Sequence, residues 1–138
     1  LHYIYSGKLN KCYSFTGKGN DEECEDYSVF TDSILSFRVY DTTETVLGQE
    51  CRVLEFQSKY FWNRYFVSKQ LLLNPGAYEN HNAYNWKFYG DQTNGGLILK
   101  LEHRFKSFTM KGEAVELANY PPDSKHIDIE KAEAFCNL

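Results

Sequence analysis

The run from residue 59 to 69, Lys-Tyr-Phe-Trp-Asn-Arg-Tyr-Phe-Val-Ser-Lys, carries large apolar side chains at both odd and even positions. Read as a strand, it puts Tyr60, Trp62 and Phe66 with Arg64 on one face. Phe61, Tyr65 and Val67 fall with Asn63 on the other, because successive side chains point to opposite sides of a pleated sheet. A strand that is apolar on both sides must be covered on both, or must line a cavity with one of them. A single sheet with one wet face does not satisfy it.

The neighbouring segments supply partners. Residues 46–57 form a second strand-like run, with a tight reversal at Ser58 and Lys59. After Leu71 to Leu73 the pair Asn74-Pro75 changes the pattern: Asn is a good helix N-cap and Pro suits the first helical position. This predicts a short helix over 75–80 and a second helical or irregular piece over 86–91, before Asn94-Gly95-Gly96 turns the chain back into sheet. Residues 97–105 and 108–117 read as a hairpin turning at Lys106-Ser107. Leu97, Leu99, Leu101 and Phe105 form its apolar face, and Ile98, Lys100, Glu102 and Arg104 its wet one.

Upstream, residues 1–15 alternate as a hairpin with turn residues at 7–10, and residues 17–26 form a polar, acidic loop. Residues 27–40 resume the strand signal, with Leu35, Phe37 and Val39 expected to face a core, and 41–44 read as a polar turn. Tyr120-Pro121-Pro122-Asp123 breaks the sheet. The tail over 128–138 is helical in composition, with Ile129, Ala132 and Cys136 on one stripe and Phe135 beside it.

At 138 residues the chain is expected to be a single domain spanning 1–138, large enough to bury a core of its own. Its start at Leu1 without Met, inside a strand-like run, suggests trimming at the N-terminus. The 17% aromatic content favours strands. A formal net charge of −4 with scattered Lys and Arg argues against a nucleic-acid surface. No run of about 18 apolar residues suggests a transmembrane span. The fold expected is mainly β (α+β): a curved antiparallel half-barrel of about seven strands in a meander, with one or two short helices capping its concave face.

Cys12, Cys24, Cys51 and Cys136 fit no zinc spacing. The favoured reading pairs Cys12 with Cys24, across the acidic loop, and Cys51 with Cys136, tying the tail to the sheet; the alternative is four buried free thiols. Disulfides would place the chain in an oxidising compartment.

Catalytic signals are weak. No Gly-x-Ser-x-Gly element is present. His2, His81, His103 and His126 lie in unrelated contexts. His103 is expected in the core beside Leu101 and Phe105, and His81 is expected to fix loop backbone in an Asn-rich stretch. Asp21, Glu22, Glu23, Glu25 and Asp26 lack the spacing of a calcium loop. Glu55, Glu102 and Glu113 lie on strands facing water rather than as a converging pair. The expectation is a protein that is not an enzyme, with no catalytic residue, no metal and no cofactor.

Between residues 43 and 123 the chain resembles an uncharacterised family of bacterial cell-envelope proteins related to the outer-membrane lipoprotein carriers. The resemblance rests on the order of short elements: Leu47, Gly48 and Cys51; Ser68, Lys69, Leu71, Leu73, Asn74 and Pro75; Tyr78, Asn80, His81, Asn85 and Trp86; then Gly96, Leu99 and Lys100. The first forty residues and the last fifteen depart from it. It implies a half-open sheet with helices across its concave face, and an exported protein, periplasmic or associated with the outer membrane.

Tyr60, Trp62, Phe66, Trp86, Phe88 and Tyr89 are then the candidate ligand-binding residues, lining an apolar cavity beneath a movable cap over 71–89. The expected ligand is an apolar small molecule such as a lipid or a lipoprotein acyl chain. The alternative is an interaction module that recruits another envelope protein through an aromatic patch or a sheet edge.

Overall fold

The computed structural model describes residues 2–16, 21–29, 32–118 and 129–137. The break expected at 120–123, His126 and the first part of the acidic loop, 17–20, lie outside them.

Two antiparallel sheets are built from strands in sequence order. The first holds β1 (His2–Ser6), β2 (Lys11–Phe15) and β3 (Glu23–Asp26). The second holds β4 (Ile34–Val46), β5 (Gln49–Ser58), β6 (Trp62–Leu72), β7 (Gly96–Arg104) and β8 (Thr109–Glu113). Between β6 and β7 come two 3-10 turns, Pro75–Tyr78 and Ala83–Asn85, and the helix α1 (Trp86–Thr93); α2 (Ile129–Cys136) follows the second sheet. The chain is therefore mainly β with two short helices, as expected. The single strongly curved half-barrel is not what forms: the strands divide three and five, and neither sheet is closed or strongly curled.

The local rules explain most elements. Leu47-Gly48 joins β4 to β5 in a two-residue turn, Val46 facing Gln49, with φ of 51° and 75°. With both values positive this is a type I′ turn, in which Gly at the second position is favoured and Leu at the first is strained. Asn74 caps the first 3-10 turn, its Oδ1 accepting from Gly76 N at 3.1 Å, with Pro75 just inside.

β6 is covered on both faces, as its sequence requires. On one face Leu54, Phe56, Tyr65 and Val67 pack with Tyr89 of α1, and Ile34, Val39, Trp86, Phe88, Ile98 and Leu101 complete the cluster. On the other, Val46, Cys51, Val53, Phe66 and Leu99 pack with Tyr40, Leu97 and Ala114. There long cations lie over aromatic rings, Lys100 Nζ 4.9 Å from the Phe66 centroid and Arg38 4.8 Å from that of Tyr40. Their aliphatic stems shield apolar surface while the charged ends stay wet.

Three details of the sheet differ from the alternation read in the sequence. Phe66 pairs with Lys100 and Val67 with Ile98, so Leu99 is an unpaired bulge residue. The bulge switches faces: Leu97 and Leu99 pack away from α1, while Ile98 and Leu101 pack toward it. Residues 41–44 are not a turn but part of β4, with a register shift between Asp41 and Thr45. Leu35 is 67% exposed because the bulge after Ile34 turns Ile34 inward in its place, whereas Phe37 keeps the core side, its ring on Phe88, and stays half open because β4 is an edge strand. Val39 does reach the core.

Neither expected cysteine pairing occurs. Cys24 bridges Cys136, with Cα atoms 5.5 Å apart, and Cys12 and Cys51 are buried free thiols. Register gives the reason. Cys24 faces Tyr13 across the ladder and Cys12 faces Glu25, so Cys12 and Cys24 project from opposite faces of the small sheet. Cys51 lies in the core of the other sheet. The disulfide closes a cluster in which Tyr13, Ala132 and Cys136 are buried with Ile4, Leu9, Phe15 and Phe135 around them. Ser6 Oγ donates to Glu133 at 2.7 Å and Lys11 Nζ to the Cys136 carbonyl at 2.5 Å, fixing α2 on the small sheet. Ala132 and Cys136 are the buried stripe expected of the tail, but Ile129 is exposed.

Candidate functional site

The small sheet turns its other face toward the segment between β6 and α1, and a tyrosine-lined groove forms between them. Tyr3, Tyr5 and Cys12 come from β1 and β2, Tyr27 from the chain after β3, Tyr78, His81 and Tyr84 from the β6–α1 connection, and Trp86 from the start of α1. Its volume is about 490 Å³. A second concavity of about 210 Å³ is lined by Tyr65, Tyr89, Ile98, Leu101 and His103. Tyr84 and Trp86 line both.

Backbone contacts hold the two walls together. The Tyr27 carbonyl accepts from Asn82 N at 2.8 Å and Ala83 N at 3.1 Å, and Asn82 Nδ2 donates to the Ser28 carbonyl at 2.7 Å. Gly7, in the β1–β2 turn, lies so close to the first 3-10 turn that a Cβ there would sit 2.5 Å from the Ala77 carbonyl oxygen. The connection expected to be a movable cap is thus bonded to the small sheet, and α1 packs on the large one.

Stacked rings form the groove floor. Tyr5 and Tyr78 lie 5.5 Å apart at 14°, and Tyr78 and Trp86 5.4 Å apart at 19°. The His81 ring is 4.4 Å from Tyr5 and 4.8 Å from Tyr27. Offset packing at these distances adds about 0.5–1.5 kcal/mol per pair beyond area burial. Tyr84 meets the edge of Tyr27 at 5.9 Å. Its backbone is left-handed, φ 53°, as is that of Asn85, φ 62°, yet Tyr84 remains 59% exposed. A bulky residue held in that region is strained, and such strain concentrates at functional positions.

Charge stays at the groove's edge, where Glu25 faces Cys12 across the ladder and acts on the Cys12 thiol and the Tyr27 hydroxyl. Among the described residues none of its lining side chains is Asp, Glu, Lys or Arg. Burial pushes the His81 imidazole down to about 4, so it is neutral near pH 7. Burial also raises the Tyr5 and Tyr27 hydroxyls and the Cys12 thiol, so all three stay protonated. His81 Nδ1 and both amide atoms of Asn85 are enclosed without a hydrogen-bond partner among the described residues. Such atoms are costly and are rarely left so in folded chains. No group of three or more His, Cys, Asp or Glu side chains among the described residues is placed to hold a metal ion.

The residues read from sequence as one ligand site are divided by the large sheet. Trp86 and Tyr89 do come together, edge to face at 5.5 Å, on the α1 side. Phe88 is on that side too, but as core, between Phe37 and Phe56 at 5.3 and 5.5 Å. Phe66 packs on the opposite face, against Val53 and Leu99. Trp62 shares the Phe66 parity and is flanked by Arg64 and Arg104, at 5.3 and 4.2 Å from its ring. Tyr60 is exposed in the β5–β6 turn. Of the groove lining, Tyr3 and Tyr5 are signalled by alternation in the first hairpin. Cys12, Tyr27, Tyr78 and Tyr84 carry no local signal, because their convergence depends on how the sheets pack. His103 lies beside Phe105 as expected, but half-buried against Tyr65 in the wall of the second concavity rather than in the core, and burial lowers its pKa.

A comparison of this chain with family models, with curated proteins and with solved structures finds no match.

Proposed function

We propose that this chain is a non-catalytic binding protein of an oxidising, extracytoplasmic compartment, and that it takes up an uncharged molecule with an apolar face in the tyrosine-lined groove. The observation that carries this reading is the combination of exposed ring surface with a lining free of charged side chains among the described residues: Tyr3 and Tyr84 stand open at the rim, while the lining histidine, His81, is held neutral. Removing an apolar face from water onto such rings is favourable, and an anionic ligand would find no cation in the lining to pair with. The disulfide supports the compartment. The ligand class is the apolar one read from the sequence, but its place is moved. Beneath α1 the large sheet is largely filled, Leu54, Phe56 and Tyr89 packing together, and the concavity left beside Tyr65, Ile98 and Leu101 has less than half the volume of the groove.

A titration with N-phenyl-1-naphthylamine, an uncharged fluorophore, tests the site. Saturable binding should be weakened at least tenfold by Tyr84→Ala and left unchanged by Trp62→Ala on the opposite face. Binding that ignores Tyr84, or is lost with Trp62, would overturn the assignment.

A further inference from the structure

The turns β5–β6 and β7–β8 leave the large sheet at the same end, since Trp62 pairs with Arg104 and Arg104 with Thr109. Their sequences share a composition: Lys59-Tyr60-Phe61-Trp62 in one and Arg104-Phe105-Lys106-Ser107-Phe108 in the other. Phe61 packs on Phe105 at 5.5 Å and Phe105 on Phe108 at 4.4 Å, making one aromatic tip from two loops. Tyr60 is 59% and Phe108 57% exposed, and Leu35 and Met110 are exposed beside them, Ile34 facing Ser58 and Met110 facing His103.

The charges at this end are mostly positive, although the chain as a whole is −4. Lys59 and Lys106 are exposed, and Lys59 Nζ lies 5.0 Å over the Tyr60 ring. Of the acids nearby, one is paired with cations and the other is buried. Glu102 pairs with Arg104 at 2.6 Å and with Lys111 at 3.8 Å. Asp32 is buried, its Oδ1 accepting from Ser33 N and Lys59 N. Exposed aromatic and aliphatic side chains interleaved with cations match a bilayer boundary: ring edges enter the headgroup layer and ammonium groups meet lipid phosphate.

We propose that this tip docks the protein on an anionic phospholipid surface, Tyr60, Phe108 and Leu35 entering the headgroup layer and Lys59 and Lys106 contacting phosphates. Apolar insertion and charge act as two signals, each weak alone. The tip is distinct from the tyrosine-lined groove, so binding there and docking here fail independently.

Co-sedimentation with phosphatidylcholine vesicles, with and without about one-quarter phosphatidylglycerol, tests the docking. The protein should partition at least tenfold more strongly onto the anionic vesicles, and raising sodium chloride from about 0.1 to about 0.5 M should release it. Each cation near such a surface contributes about 1 kcal/mol, roughly fivefold, so Lys59→Glu with Lys106→Glu should lower partitioning at least tenfold. Tyr60→Ser with Phe108→Ser should do the same. Both pairs are exposed, so unchanged circular dichroism and melting are expected, and Tyr84→Ala should still dock. No binding to either vesicle, or binding that both pairs leave intact, would overturn the proposal. So would a vesicle-free monomer–dimer equilibrium that Tyr60→Ser with Phe108→Ser abolishes, which would make the tip a self-association surface.

Discussion

The ring of Tyr5 on β1 stacks on the ring of Tyr78 beyond β6, centroids 5.5 Å apart and planes 14° from parallel. That contact joins two sheets that share no backbone ladder, and it forms the middle of the groove floor. Tyr5→Ala removes a half-buried ring with three aromatic partners in addition to its bond to Asn10 Oδ1. Urea unfolding should show a loss of about 2–3 kcal/mol. A loss below about 0.5 kcal/mol would mean that the two sheets do not depend on this stack.

The disulfide carries a second prediction. Cys24 and Cys136 are 112 residues apart in sequence, so the bridge restricts the unfolded chain over most of its length. Cys24→Ser with Cys136→Ser should lower stability by about 2–5 kcal/mol, read by urea unfolding under non-reducing conditions. Native protein should resist a thiol reagent and denatured protein should react at two positions, Cys12 and Cys51. Peptide mapping that instead linked Cys12 to Cys24 would contradict the register of β2 and β3.

His81 makes stability depend on pH. Its folded pKa, about 4, lies below the ordinary value of 6.5 because burial disfavours the imidazolium. Between these values the unfolded chain binds more protons than the folded one, so stability rises with pH across the window. The stabilising contribution is present above about 6.5 and is lost as pH falls toward 4. From pH 7 to pH 5 the loss from this group is about 2 kcal/mol. His103, also lowered by burial, acts with the same sign. His81→Phe should flatten the dependence measured by urea unfolding at the two pH values, and an unchanged slope would show that His81 is not the group responsible.

Tyr84 separates backbone strain from ring contacts. Both Tyr84→Ala and Tyr84→Asn remove the ring from Tyr27, but Asn tolerates the left-handed backbone that Tyr84 adopts at φ 53°. The Asn variant should be more stable than the Ala variant by about 0.5–1 kcal/mol, while both lose the uncharged fluorophore equally. Equal stabilities would mean that the residue relaxes out of that conformation once the ring is gone.

How much of this was legible in the sequence follows from the range of each rule. Asn74-Pro75 and the two-face apolarity of β6 are local signals, and each forms what it indicates, whereas the turn expected at 41–44 falls instead at Leu47-Gly48. The six residues expected to share a site are separated by the large sheet. Alternation correctly put Trp62 and Phe66 on one side of β6 and Tyr65 on the other, but it does not say which side receives the following segment. The structure puts Trp86, Phe88 and Tyr89 on the Tyr65 side. Leu99 shows the same limit: one bulge residue reverses the alternation that had grouped Leu99 with Leu101. The cysteines failed for a related reason. Sequence separation favoured Cys12 with Cys24, whereas the ladder puts them on opposite faces.

Gly7 tests whether the groove depends on the close approach of its two walls. Its Cα faces the backbone of the first 3-10 turn, and a methyl group there would meet the Ala77 carbonyl oxygen at 2.5 Å and its carbonyl carbon and Cα at 3.2 Å. These are backbone atoms, so no side chain can swing aside to make room. The turn is anchored by the Asn74 cap on one side and, through Asn82 and Ala83, by the Tyr27 carbonyl on the other. The β1–β2 turn must therefore move, carrying Tyr5 off Tyr78. Gly7→Ala should cost about 1–3 kcal/mol and weaken fluorophore binding severalfold. It should also shift the emission of Trp86, whose ring packs on Tyr78, in a Trp62→Phe background that isolates it. Stability, binding and emission all unchanged would show that the small sheet and the β6–α1 connection do not hold this contact in solution.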